Sequence, residues 1–157
     1  MVRLADVTDP ERDYLLGRVK DLTGFDGRPW VGGPPLTKRR IAIITTSGIH
    51  REGDRPFGSG AADADYRVIP GEVSAGQLVM SHVSVNFDRT GFQQDINVVF
   101  PIDRLKELAE EGVIGEVDDY HYSFMGAAPP RSLESRARQL AGLLKKDRVD
   151  AVLLTPV

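Results

Sequence analysis

Two short, uninterrupted apolar runs constrain this chain most: Ile41-Ala42-Ile43-Ile44, and Ala151-Val152-Leu153-Leu154 near its end. Each is bounded by turn-forming or charged residues. A continuous apolar run of that length reads as a strand buried on both faces, as in a parallel sheet covered by helices. A helix-period stretch stands directly before the second run. Leu133, Ala137, Leu140, Ala141 and Leu144 fall on one face. Pro129-Pro130 closes whatever precedes it, Ser132 is placed to cap it, and Lys145-Lys146 suit its last turn. Helices alternating with buried strands predict an α/β fold: a largely parallel sheet with flanking helices in Rossmann-like or flavodoxin-like layers.

The rest of the chain fits that frame. Thr8-Asp9-Pro10-Glu11 reads as a helix start. It is followed by a rough apolar stripe of Tyr14, Leu15, Val19 and Leu22. Residues 24–35 carry many Gly and Pro and read as a loop with one anchor, Trp30. Residues 51–65 read as a long polar loop. Tyr66 to Ile69 and Leu78 to Val85 read as short strands. Asp95 to Phe100 reads as an extended segment handing over, through Pro101, to a helix with Ile102, Leu105, Leu108 and Ala109 on one face. Gly112 stops that helix. Residues 113–117 and 121–126 read as further extended pieces, and Asp118-Asp119 as surface. The organisation expected is an N-terminal helix and Gly/Pro-rich loop over 1–37, then one α/β domain over 38–157.

Composition narrows the function. The chain has 157 residues, enough for a real core, and a net charge of −3. No basic footprint for nucleic acid is present; Lys38-Arg39-Arg40 is too short. No stretch approaches the roughly 20 apolar residues that span a bilayer, and the first residues lack a signal peptide's apolar core. A cytoplasmic location is expected, without nucleic-acid or membrane partners. Cysteine is absent, which removes any thiolate ligand or cysteine nucleophile from within these residues.

The residues able to do chemistry gather near the ends of predicted strands, where open α/β sheets bind their ligands. Thr45-Thr46-Ser47-Gly48 offers hydroxyls and amides to an anion. His50, His82 and His121 stand at element ends; they read as one cleft or as scattered structural histidines. A three-histidine zinc site is a further alternative, on which the spacing is silent. Ser81 and His82 are adjacent, so on a strand they point to opposite faces and do not pair. Asp95, Asn97 and Asp103 flank the segment before the second helix, and Asp103 reads equally as a cap. Neither a GxxxxGK[ST] loop nor a GxGxxG turn after a strand is present. No cofactor and no metal are expected.

Several of these segments, in order, resemble one family. They are Ile41 through Thr45-Thr46-Ser47-Gly48-Ile49-His50, Tyr66 to Pro70, Asp95 to Gly115, His121-Tyr122-Ser123-Phe124-Met125-Gly126, and Val149 to Val157. The resemblance is to the selenoprotein B family of glycine, sarcosine, betaine and D-proline reductases. The stretch from Ser81 to Gln94 is more similar to a short, stand-alone branch of it. The resemblance implies reductive cleavage of a C–N bond in a small amine or amino acid. It also implies a selenocysteine or cysteine nucleophile after the last strand, and a partner subunit with a pyruvoyl group in the glycine and proline systems. A selenolate is ionised at neutral pH, as a thiolate of depressed pKa is. On this reading Thr45, Thr46 and His50 hold a carboxylate. His82, Asp95, Asn97 and His121 orient an amine or shuttle protons. The redox residue is expected directly after Val157, so this chain alone is expected to be inactive. The hypothesis is that the codon following Val157 is UGA. UAA or UAG there, or no continuing frame, would refute it. A last strand without a covering element predicts an exposed apolar face and dimerisation through it. The competing reading is a non-catalytic module that binds a small anion or nucleotide, or serves as a subunit.

Overall fold

The computed structural model describes residues 3–20, 27, 30–58, 63–84 and 89–157. The chain divides into two units, Met1–Gly32 and Gly33–Val157.

The first unit holds one helix, α1 (Asp9–Lys20). Its start is as the sequence suggests. Glu11 accepts hydrogen bonds from the Thr8 amide at 3.2 Å and the Thr8 hydroxyl at 2.8 Å. These satisfy donors that a helix end leaves open. Of the expected apolar stripe, Tyr14, Leu15 and Val19 are exposed. Leu22 lies outside the described residues. Trp30 is 84% exposed.

The second unit is a mixed α/β structure. Its strands are β1 (Arg40–Thr45), β2 (Ile49–Arg51), β3 (Tyr66–Pro70) and β4 (Leu78–Met80). The helices α2 (Thr90–Gln94) and α3 (Ile102–Glu110) follow. Strands β5 (Glu116–Val117) and β6 (Tyr120–Phe124), helix α4 (Pro130–Lys146) and strand β7 (Ala151–Thr155) complete it. Strand β1 is central. Ile41 pairs with both Val117 and Ala151, and Ile44 with both Tyr122 and Leu154, so β5 and β6 share one side of β1 and β7 takes the other. All three pair with β1 in parallel. Strand β3 pairs with β6 antiparallel, so the sheet is mixed rather than uniformly parallel. Strands β2 and β4 form a separate antiparallel ribbon.

The two faces of β1 explain its continuous apolar run. Ile41 and Ile43 pack with Phe100, Ile102 and Leu105 on the α3 side. Ile44 packs with Tyr122, Phe124 and Leu140 on the α4 side. Each such side chain, fully buried, contributes about 1.5–3 kcal/mol. Gly112, at φ 71°, ends α3 in the left-handed conformation that favours glycine.

Several expectations are corrected. Asp95 to Phe100 is not extended. The Asp95 side chain accepts from the Asn97 amide and starts a 3-10 turn, Ile96–Val98. Ser132 lies inside α4, and its hydroxyl donates to the Pro129 carbonyl at 2.6 Å instead of capping. Strand β4 ends at Met80; residues 81–84 are irregular, and Val85 lies outside the described residues. Among the described residues β7 pairs only with β1, and it is an exposed strand rather than a buried one: Leu154 is 67% and Leu153 38% exposed. Asp118 is not on the surface but 2% exposed.

That buried aspartate marks a bulge. Between the pairs Ile41/Val117 and Ile44/Tyr122, four residues, Asp118 to His121, face two, Ala42 and Ile43. Aspartate is a poor strand former, and the ladder gives way there. Arg40 fills the gap. Its Nε donates to Asp118 Oδ1 at 2.7 Å and its Nη2 to Asp119 Oδ2 at 2.8 Å. Burial works against the guanidinium charge, but the bonds to Asp118, Asp119 and Glu116 outweigh it and raise its pKa.

Candidate active site at the carboxyl end of the sheet

Strands β6, β1 and β7 end together. Thr45 is in register with Ser123 on one side and Thr155 on the other. In-register partners point to the same face, so the three hydroxyls form a row on the α3 side. Thr45 is engaged: its hydroxyl donates to Ser47 Oγ at 3.0 Å and accepts from the Ser47 amide at 3.2 Å. Ser123 Oγ and Thr155 Oγ1 are buried, with no hydrogen-bond partner among the described residues. Buried polar atoms are nearly always paired, so two unspent hydroxyls at one strand end suit a polar guest.

Thr46 does something else. Its Oγ1 accepts from the Val157 amide at 2.9 Å and donates to the Val157 carbonyl at 3.3 Å. Its own amide donates to Thr155 O, and its carbonyl accepts from Gly126. A Cβ at Gly126 would stand 2.9 Å from both the Thr46 Cβ and its carbonyl oxygen, so only glycine allows this approach. The turn after β1 therefore clasps residue 157 and the end of β6.

The three histidines have distinct jobs. Within the bulge, the Ile43 amide has lost its strand acceptor and donates to His121 Nδ1 at 3.0 Å. The proton of neutral His121 is thus on Nε2, which is buried without an acceptor among the described residues. Burial, with Lys106 adding, pushes the His121 pKa down to about 4, although Asp119 opposes it. His82 accepts from the Ser84 amide at its Nδ1. Burial, then the Arg89 charge, lowers its pKa. His50 is wired the opposite way. Its Nδ1 lies 2.9 Å from the Arg51 carbonyl, which only accepts, so Nδ1 carries the proton. Its Nε2 is then the acceptor for the Ser81 hydroxyl, 2.6 Å away.

Among the described residues, no group of three or more His, Cys, Asp or Glu side chains is placed to hold a metal ion. Asp95 and Asn97 bond to each other and to Asp103. Asn97 Nδ2 donates to Asp95 Oδ1 and Asp103 Oδ2, both at 2.9 Å, and its Oδ1 accepts from the Asp103 amide at 3.0 Å. That network ties the 3-10 turn to the start of α3. The Asn97 amide and side-chain bonds lower the Asp95 pKa. Ser123, Thr155 and the bond of Ser81 to His50 are what sequence reasoning missed. Their signal was strand register, which becomes visible only once the strands are paired. A cavity of about 450 Å³ beside Arg51, Pro70 and Gln77 contains none of the predicted site residues.

Comparison with known proteins decides the family. The model of "Glycine/sarcosine/betaine reductase selenoprotein B" matches residues 33–157. The chain belongs to that family. It is 36% identical over 127 residues to D-proline reductase subunit gamma of Acetoanaerobium sticklandii, covering 77% of this chain and 51% of the relative. It is 33% identical over 144 residues to glycine reductase complex component B subunit gamma of Symbiobacterium thermophilum, covering 85% and 32%. It is 34% identical over 125 residues to betaine reductase complex component B subunit beta of Peptoclostridium acidaminophilum, covering 76% and 28%. The chain thus spans about half of the first relative and about a third or less of the others. No solved structure matches it. The matched region takes in every described strand of the sheet, and with it the Thr46–Val157 clasp. Among the described residues, no helix is long and apolar enough to cross a membrane.

Proposed function

We propose that these residues form the substrate-side scaffold of a reductase subunit acting on a small amine or amino acid by reductive C–N cleavage. The observation that carries the reading is the family match over 33–157 combined with the clasp of Thr46 on Val157 at the carboxyl edge of β1 and β7. The 157 residues contain no cysteine, so the redox nucleophile comes from outside them. A selenolate or thiolate brought to that edge stands near Ser47, which the Thr45 hydroxyl holds in place, and near the two unspent hydroxyls of Ser123 and Thr155. These are hydrogen-bond donors for a substrate carboxylate. His50 and His82 stand beside the same turn. His121 serves from behind, as a neutral imidazole supporting β1; at a pKa of about 4 it is a poor proton carrier at neutral pH. The relatives are named as subunits of reductase complexes, which supports a partner subunit for this chain too. The outward Leu153 and Leu154 of β7 support self-association along that edge.

The test supplies the missing group. A version extended beyond Val157 by selenocysteine or cysteine is given a dithiol, candidate partner subunits, and glycine, sarcosine, betaine or D-proline. Amine release that depends on the added residue supports the reading. No release from any substrate, with the partner present, overturns it.

A further inference from the structure

The ribbon β2–β4 places a serine on a histidine in a way that neither the fold nor the proposed reductase scaffold requires. His50 pairs with Val79 across the ribbon, and Ser81 is two residues beyond Val79, on the same face. Diagonal neighbours of this kind are within side-chain reach. The Ser81 amide also bonds the Gly48 carbonyl at 2.9 Å, which holds residue 81 against the turn. Gly48 itself is at φ 66°, and a Cβ there would stand 3.1 Å from the His82 backbone. Positions 48, 50 and 81 are therefore fixed to one another by backbone.

From this geometry we infer that Ser81 is a nucleophilic serine, with His50 as its general base, for small acyl or phosphonyl electrophiles. Three observations point the same way. The Oγ–Nε2 distance of 2.6 Å is within the range of nucleophile–base pairs. The Arg51 carbonyl fixes the tautomer that leaves Nε2 free to accept the hydroxyl proton, the role an orienting acceptor plays behind a catalytic imidazole. His50 is 3% exposed, edge-on to Phe57 at 6.4 Å, while Ser81 is only half-buried. The base is thus shielded, and the serine is the more accessible residue of the pair.

The step balances without a redox partner. Ser81 Oγ attacks the electrophilic carbon or phosphorus, and its proton passes to His50 Nε2. The leaving group departs with its bonding pair. An alkoxide takes the proton back from Nε2, whereas fluoride leaves the imidazole to exchange its proton with water. Water then attacks an acyl-serine by the same route.

The test is labelling of the 157-residue protein with diisopropyl fluorophosphate, followed by intact-mass and peptide mapping. One adduct at Ser81 is expected, absent in Ser81→Ala and at least about 100-fold slower in His50→Gln, the scale on which a general base acts. A second measurement covers a probe too large for the site. The chain has no cysteine, so Ser81→Cys carries a single thiol for iodoacetamide. His50 should speed its alkylation about tenfold or more over the Ser81→Cys/His50→Gln double variant. Circular dichroism confirms that each protein is folded. A folded protein whose Ser81→Cys thiol reacts equally fast with and without the imidazole overturns the inference, as does labelling by fluorophosphate that ignores His50. Neither assay involves reductase turnover, so failure here is separable from failure of the reductase reading.

Discussion

Replacing His121 with phenylalanine tests the bulge from both its sides. In the native protein the imidazole is 0% exposed, accepts from the Ile43 amide at 3.0 Å and packs on Phe100 with ring centroids 5.4 Å apart. His121→Phe keeps an aromatic ring but offers that amide no acceptor. A buried donor left unpaired costs about 1–3 kcal/mol, so the variant should be less stable by that amount at neutral pH. Acid should close the gap. The unfolded chain binds a proton at His121 near the ordinary value of 6.5, while the native chain resists until about 4. Between those values the unfolded state holds more protons, so native stability falls as pH falls. The site contributes no penalty above about 6.5 and its full penalty, roughly 3 kcal/mol, below about 4. His121→Phe lacks this loss. His82, also of lowered pKa, is present in both proteins and drops out of the difference. Urea unfolding of both proteins between pH 7 and pH 4 is the assay. The stability gap should shrink steadily and vanish or invert at the acid end. A gap that stays constant with pH would refute the buried neutral imidazole, and no gap at pH 7 would refute its role in the bulge.

Other substitutions probe neighbouring parts. Arg40→Met leaves Asp118 buried without its cation and should destabilise by about 3–5 kcal/mol in thermal or urea unfolding; a loss under 1 kcal/mol, the size of an exposed pair, would mean that Asp118 is solvated. Gly126→Ala forces Thr46 off its position and should speed hydrogen exchange at the Val157 amide, whereas unchanged exchange would deny the clasp. Leu154→Lys places a charge on the exposed edge of β7 and should convert a dimer to a monomer in light scattering; a wild-type protein that is already monomeric contradicts association through that edge.

What the sequence revealed follows from which interactions are local. Ile41 to Ile44, the α3 face of Ile102 and Leu105, and the α4 face around Leu140 repeat with the period of their elements, so pattern alone located them. Ala151 to Leu154 shows the limit of that logic. An apolar run records a strand, but whether a second strand covers its far edge is a property of the sheet. Asp95 to Phe100 misled because its alternation resembles a strand, while Asp95 and Asn97 spend their side chains on nearby amides and bend the chain into a turn. The bulge, the hydroxyl row of Ser123, Thr45 and Thr155, and the His50–Ser81 pair depend on register between segments far apart in sequence. Ser81 lies just past the end of β4, and the antiparallel register of the ribbon brings it to His50.

On the proposed function, the carboxyl end of β6, β1 and β7 receives the substrate. Amide shifts of the 157-residue protein, titrated with glycine, betaine and proline, test it most directly. Shifts concentrated at Thr45, Thr46, Ser47, Gly48, Ser123 and Gly126 are the predicted result. Shifts confined to the opposite end, around Arg40, Asp118 and Arg148, or none with any of the three, would contradict it.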